Sequence, residues 1–185
     1  AAEQAFAVLA NPYTAGDFGV APKETIESAA TAAGKLLKRF DERKHDYIER
    51  TSAAAWALAC QHARIVAQMV EMNSNWGTAY TVRDSSMAQN IHWILEQEGP
   101  DAKMVAWGHN GHVATQPGSM GAHLRRMFGS DMVVFGFAFN QGSFRAVEEP
   151  FPSQKGLHSF HVGPAPEGSL DLTLAAADLR LAVVD

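Results

Sequence analysis

Two histidines, His109 and His112, stand three residues apart in the run Lys103-Met-Val-Ala-Trp-Gly-His-Asn-Gly-His-Val113. Imidazole is the side chain best suited to moving protons near neutral pH. If the turn that carries them is helical, that spacing brings both rings to one small volume. A histidine so placed can deprotonate water, protonate a leaving group, or donate to a developing oxyanion. Gly108 and Gly111 flank the rings and permit close backbone approach. Asn110 orients a ring or donates to substrate, or it serves only as a turn-former. The plainer alternative makes both histidines polar loop residues satisfied by backbone groups.

Arg83-Asp84 is the second point of interest. Asp84 is explained as the N-cap of a helix. Arg83 either holds a substrate carboxylate or an acidic catalytic residue, or is an ordinary surface arginine. Asn90 and His92 lie in that helix, on either side of the apolar Ile91. Asn90 is expected to meet the site or a sheet edge, and His92 to be solvated. Asp84, Asn90, Gly108 and Gly111 are thus read as structural support. No metal is expected, because two imidazoles fall short of the three protein ligands usual for a catalytic zinc. No Asp or Glu lies in the loop, and Asp101 precedes the strand, at its opposite end. Of the remaining histidines, His45 and His123 read as surface residues and His62 as a satisfied helix residue. His158 and His161 point to opposite faces of an extended segment. There is no glycine-rich phosphate loop, Gly-x-Ser-x-Gly elbow or His-Glu-x-x-His helix.

The elements that must hold these residues follow from periodicity and punctuation. The first half reads helical: Ala1 to Ala10, then a Gly-containing loop over Thr14 to Ala21. A helix follows from Pro22, as its first residue, to about Phe40. The next is capped by Asp46 and runs to about Met72, with apolar Leu58, Ile65, Val66, Met69 and Val70 at helical spacing. A helix over Ser85 to Glu98 buries Met87, Ile91, Ile94 and Leu95 and ends at Gly99-Pro100. Met104 to Trp107 then reads as a strand delivering the histidines at its end, where ligands sit in α/β proteins. Met120 to Phe128 is a helix capped by Gly129. Met132 to Phe139 is a strand that turns at Asn140-Gln141-Gly142 into a hairpin arm, Ser143 to Val147. Phe160 to Val162 is a short strand, and Ser169 caps a helix over Leu170 to Ala177. Leu181 to Val184 begins a strand that the sequence cuts short. The pattern predicts a three-layer α/β/α fold with a partly parallel sheet, residues 83–185, beside a helical lobe, residues 1–82. The interrupted last strand predicts an incomplete fragment whose missing segment is its partner.

The totals narrow the function. A net charge of −5, with no basic run longer than two residues, gives nucleic acid little to hold. The single cysteine, Cys60, excludes an internal disulfide and reads as a buried thiol; it fits a reducing, cytoplasmic setting. No stretch is apolar for long enough to span a membrane.

The order of the motifs resembles the erythromycin esterase family. The matching stretches are Arg83-Asp-Ser-Ser-Met-Ala-Gln-Asn90, Val105-Ala-Trp-Gly-His-Asn-Gly-His-Val113 and Met120-Gly-Ala-His-Leu124. Phe135-Gly-Phe-Ala-Phe-Asn-Gln-Gly-Ser-Phe144, Pro164-Ala-Pro-Glu-Gly-Ser-Leu170 and Asp178-Leu-Arg180 follow in the same order. The resemblance implies an α/β/α protein with a helical lobe and a cleft lined by His109 and His112. It implies hydrolysis of a carboxylic ester, such as the one closing a macrolide lactone, with a link to antibiotic resistance and no cofactor. Other members are connected with succinoglycan biosynthesis, so fold alone does not give the substrate. The family's water-activating histidine lies in a Gly-Glu-x-x-His-Gly motif, and this sequence contains no Gly-Glu pair. The expectation is an esterase in which His109 and His112 bind and polarise a small-molecule ester or protonate its leaving alkoxide, with the base supplied by a missing segment. A covalent Ser or Cys intermediate is disfavoured. The alternative is a non-catalytic ligand-binding module of the same fold.

Overall fold

The computed structural model describes residues 22–75, 77–137, 139–147 and 156–177. The expected helix over Ala1 to Ala10, the loop over Thr14 to Ala21 and the strand over Leu181 to Val184 lie outside them. The chain divides into two compact units, residues 1–134 and 135–185.

The first unit is built from helices. Helix α1, Lys23–Glu42, starts one residue after Pro22, whose φ of −52° and ψ of 140° make it the N-cap rather than the first helical residue. Ala29 and Ala33 on its inner face are buried, and side chains this small let another helix approach closely. The long second helix expected after Asp46 is instead two. Helix α2, Lys44–Arg50, ends at Thr51, and helix α3, Ala53–Ser74, starts under a Ser52 cap that accepts from the Ala55 N–H at 3.1 Å. Asp46 lies inside the first turn of α2 rather than ahead of a helix, and Ser52 is the residue placed to satisfy an orphan donor where the next helix starts. Trp56 Nε1 donates to the Phe40 carbonyl at 3.1 Å and ties α3 to the end of α1.

Helix α4, Ala79–Glu98, packs on α3 and ends at Gly99, whose φ of 102° suits a residue without Cβ. Two turns of amide pairing join the helices: Gln61 Nε2 donates to Asn90 Oδ1 at 2.8 Å, and Asn90 Nδ2 donates to Gln68 Oε1 at 3.1 Å. Gln61 and Cys60 are both buried. The single turn α5, Asn110–Val113, leads to α6, Met120–Phe128, which Gly129 ends as expected. Ala88, Met120 and Leu124 form a core between α4 and α6, flanked by Met87, Ile91, Val113, Phe128 and Met132. His123 is half-buried, not at the surface: Arg126 donates to its Nδ1 at 2.7 Å. His92 is also half-buried, with its ring against Phe128.

The second unit holds strands β1, Gly142–Val147, and β2, Leu157–Val162, and helix α7, Leu170–Ala176, capped by Ser169. The strands are antiparallel, in register from Gly142 opposite Val162 to Val147 opposite Leu157. The arm after the Asn140-Gln141-Gly142 turn therefore pairs with the later strand, not with Met132 to Phe139. Phe144 stacks on Phe160 across the ladder, and Phe139 meets Phe144 edge-on. The Phe139 N–H donates to Asp171 at 2.7 Å, and Asn140 Oδ1 accepts from the Ala165 N–H at 3.0 Å.

Among the described residues this is the one β-ladder, and the layered, partly parallel sheet is not formed. Residues 104–107 and 132–137 run outside any helix or ladder, and Val105, Trp107, Val133 and Phe135 are exposed. A short apolar run becomes a strand only when a neighbour supplies ladder bonds, and within the described residues none does.

Candidate active site

Helix α4 begins at Ala79, six residues earlier than expected. Asp84 is therefore inside the helix and caps nothing on it. Three residues of the extra turn and the one after it, Tyr80, Arg83 and Asp84, share one face at spacings of three and four. All three meet His112.

Asp84 has no exposed surface. Its two carboxylate oxygens face His112 Nδ1 at 2.9 and 3.0 Å, and Oδ2 also accepts from the Met120 N–H, the start of α6, at 2.8 Å. The positive end of a helix favours a carboxylate at this position. On the other side of the ring, Arg83 Nη1 lies 3.0 Å from His112 Nε2. Arginine has donors only, so Nε2 must accept. The carboxylate in turn requires the proton on Nδ1. His112 is thus a neutral imidazole with Nδ1–H directed at Asp84 and its lone pair at Nε2. Tyr80 stacks on the ring, with centroids 5.3 Å apart and planes 18° apart, and its hydroxyl donates to the Gly111 carbonyl at 3.3 Å.

The turn carrying the two histidines is helical, as their spacing allows. His109 is the N-cap of α5: its Nδ1 accepts from the Gly111 N–H at 3.1 Å. Its ring and the Tyr80 hydroxyl both flank Gly111, where an added Cβ would lie 3.3 Å from His109 Nδ1. Gly108 is less constrained, since its Cβ would meet only the Val113 side chain at 3.5 Å and His112 Cβ at 3.9 Å. Asn110 is the first residue of α5, its carbonyl accepting from the Ala114 N–H at 2.8 Å. Among the described residues Asn90 makes no hydrogen bond to this cluster; its amide is engaged by α3.

The crossing that brings α6 to Asp84 depends on two small residues. Ser119 accepts from the Ala122 N–H at 3.1 Å and donates to the Gln116 carbonyl at 2.7 Å. A Cβ at Gly121 would overlap the backbone carbonyls of Val113 and Ala114. Neither residue stands out in the sequence as part of a site, and nor does Tyr80. For Tyr80 the signal was the helical spacing to Arg83 and Asp84, hidden by the late start assigned to that helix.

Site geometry alone does not fix ancestry. The sequence profile of the erythromycin esterase family, however, matches residues 2–185. The chain belongs to the erythromycin esterase family. It is also similar to a Bacillus subtilis (strain 168) protein named "Putative hydrolase YbfO", with 27% identity over 120 residues. That match covers 58% of this chain and 26% of the Bacillus protein, so the chain spans about a quarter of that relative's length. No solved structure matches the chain significantly. Among the described residues, no three His, Cys, Asp or Glu side chains converge as a metal site.

Proposed function

We propose that this chain carries the proton-transfer part of an ester hydrolase, with His112 as the working imidazole. One observation carries the reading: a buried carboxylate fixes the Nδ1–H tautomer of His112 and leaves Nε2 as the proton acceptor. That arrangement prepares a base for water and, once protonated, an acid for the departing alkoxide. Asp84 stabilises the imidazolium that forms, and Tyr80 holds the ring plane. A guanidinium, rather than a serine or cysteine, stands at Nε2, which favours direct attack by water over a covalent intermediate. His109 flanks the same turn and is available to the ester oxygen through Nε2, whose proton is fixed by the bond at Nδ1. Family membership and the relative named as a hydrolase both support this reaction class. A macrolide lactone, the ester for which the family is named, belongs among the first substrates to be tried.

The contact between Arg83 and Nε2 favours a second reading, a ligand-binding module, because a lone pair already bonded cannot take a proton. The two separate on turnover. Hydrolysis of 4-nitrophenyl butyrate, of mono-4-nitrophenyl glutarate and of a macrolide lactone is measured for the protein and for His112→Gln, with thermal unfolding as the check on fold. The hydrolase reading expects a rate loss of ~100-fold or more in the variant. Ligand binding with no hydrolysis by either protein would establish the module instead.

A further inference from the structure

Arg83 is exposed, yet it forms no ion pair among the described residues; the hydrogen bond it makes is to a neutral imidazole. The carboxylate beside it in sequence, Asp84, is buried and already accepts from His112 and Met120. The guanidinium therefore rests on an acceptor weaker than those it is built to hold. Its planar fork matches a carboxylate through two parallel bonds, and charge-assisted bonds of that kind are roughly twice as strong as neutral ones. The resting contact also blocks chemistry, since Nε2 has one lone pair and Arg83 holds it. For His112 to accept a proton, Arg83 must move.

We propose that Arg83 is a latch on His112, drawn off Nε2 by a carboxylate on the substrate. The inference rests on the hydrolase reading and narrows it to esters that bear a carboxylate near the bond to be cleaved. Binding and activation are then one event. The substrate's anion takes the guanidinium, Nε2 is released, and the freed nitrogen faces the ester that the anchored carboxylate has brought in. A neutral ester lacks the group that releases the latch and reacts only through the fraction of molecules in which Arg83 has swung away by itself. Water gives a proton to Nε2 and its oxygen bonds to the acyl carbon; the acyl C–O bond breaks and the alkoxide leaves with the proton from Nε2, so a carboxylic acid and an alcohol form and no co-reactant is needed.

Two measurements test this independently. The first compares kcat/KM for mono-4-nitrophenyl glutarate and for neutral 4-nitrophenyl butyrate in the wild-type protein and in Arg83→Gln. The anionic ester is expected to lead by about tenfold or more in the wild type. In the variant that preference should collapse, and hydrolysis of the neutral ester should rise because the latch is gone. The second measurement needs no turnover. Glutarate is titrated into the wild-type protein while the His112 imidazole nitrogens are followed by long-range ¹H–¹⁵N correlation. Nε2 should move toward the position of an unbonded acceptor nitrogen, while Nδ1 keeps its proton. If esters are hydrolysed but the preference is absent, or survives in Arg83→Gln, the latch is wrong and the hydrolase reading stands. If no ester is cleaved but glutarate still releases Nε2, the latch is right and the hydrolase reading fails. Neither hydrolysis nor release would remove both.

Discussion

Asp84→Asn is the sharpest probe of the site, because the amide is nearly isosteric with the carboxylate but carries one acceptor where there were two. The Met120 N–H, a backbone group with no alternative form, must keep its oxygen acceptor 2.8 Å away. The amide oxygen therefore turns to Met120, and the amide NH2 faces His112. The imidazole can answer only by moving its own proton, so that Nδ1 accepts and Nε2 carries the hydrogen. Nε2–H then faces Arg83, donor against donor, across the former 3.0 Å contact. Two charge-assisted bonds become neutral ones and the Arg83 bond is lost. At ~0.5–1.5 kcal/mol for each of the two bonds weakened, with the exposed Arg83 turning to solvent at little net cost, the total is about 1–3 kcal/mol. In a chain of this size that lowers Tm by about 2–12 °C. Catalysis should suffer far more, since an imidazole locked in the wrong tautomer loses on the order of 10⁴-fold in rate. Long-range ¹H–¹⁵N correlation reads the tautomer directly, alongside thermal unfolding and ester hydrolysis. A variant that kept its proton on Nδ1, or hydrolysed esters within tenfold of the parent, would refute the reasoning.

Three further outcomes follow from the same geometry. Gly121→Ala pushes a methyl group into the backbone carbonyls of Val113 and Ala114, which cannot rotate away; a cost of about 3 kcal/mol should lower Tm by about 6–12 °C in calorimetry, and an unchanged Tm would mean that the crossing is loose. Tyr80→Phe keeps the ring stack and loses only the 3.3 Å bond to Gly111, so kcat should stay within a few-fold of the parent, whereas Tyr80→Ala releases an aromatic contact worth ~0.5–1.5 kcal/mol and should slow kcat by about tenfold. Equal kcat in the two variants would remove Tyr80 from the positioning of His112. Hydrolysis should survive exhaustive chelation, because Asp84 and Arg83 engage both nitrogens of His112 and Gly111 engages Nδ1 of His109; loss of turnover that added zinc restores would show that a metal displaces those partners.

Local grammar made several elements readable. Ser169 and Gly129 mark their helix ends because a hydroxyl cap and a glycine terminus act within a few residues. The spacing of His109 and His112 left a helical turn open, and the turn that forms is again a local one, capped by His109 itself. The misread start of α4 shows the opposite case. Its cap, Thr78, makes no side-chain hydrogen bond, so the true beginning carries no chemical mark, while Asp84 looks like a cap and is a buried partner instead. The decisive contacts, Asp84 with His112 and with Met120, join residues 28 and 36 positions apart. No periodicity spans such separations. Apolar runs such as Met104 to Trp107 were ambiguous for another reason: strand geometry is completed by neighbours that the run itself does not specify.

Asp84 does two jobs with one carboxylate, aligning an imidazole and anchoring the first backbone amide of α6. Selection for a folded protein and selection for a reactive histidine therefore converge on the same codon. A descendant without the proposed hydrolysis would still be held to this aspartate by its core, and His112 would be retained to keep that buried charge company. The pair would outlast the reaction. Among relatives of this chain, its presence is a record of architecture, and activity is better sought in residues with nothing structural to lose, Arg83 first among them.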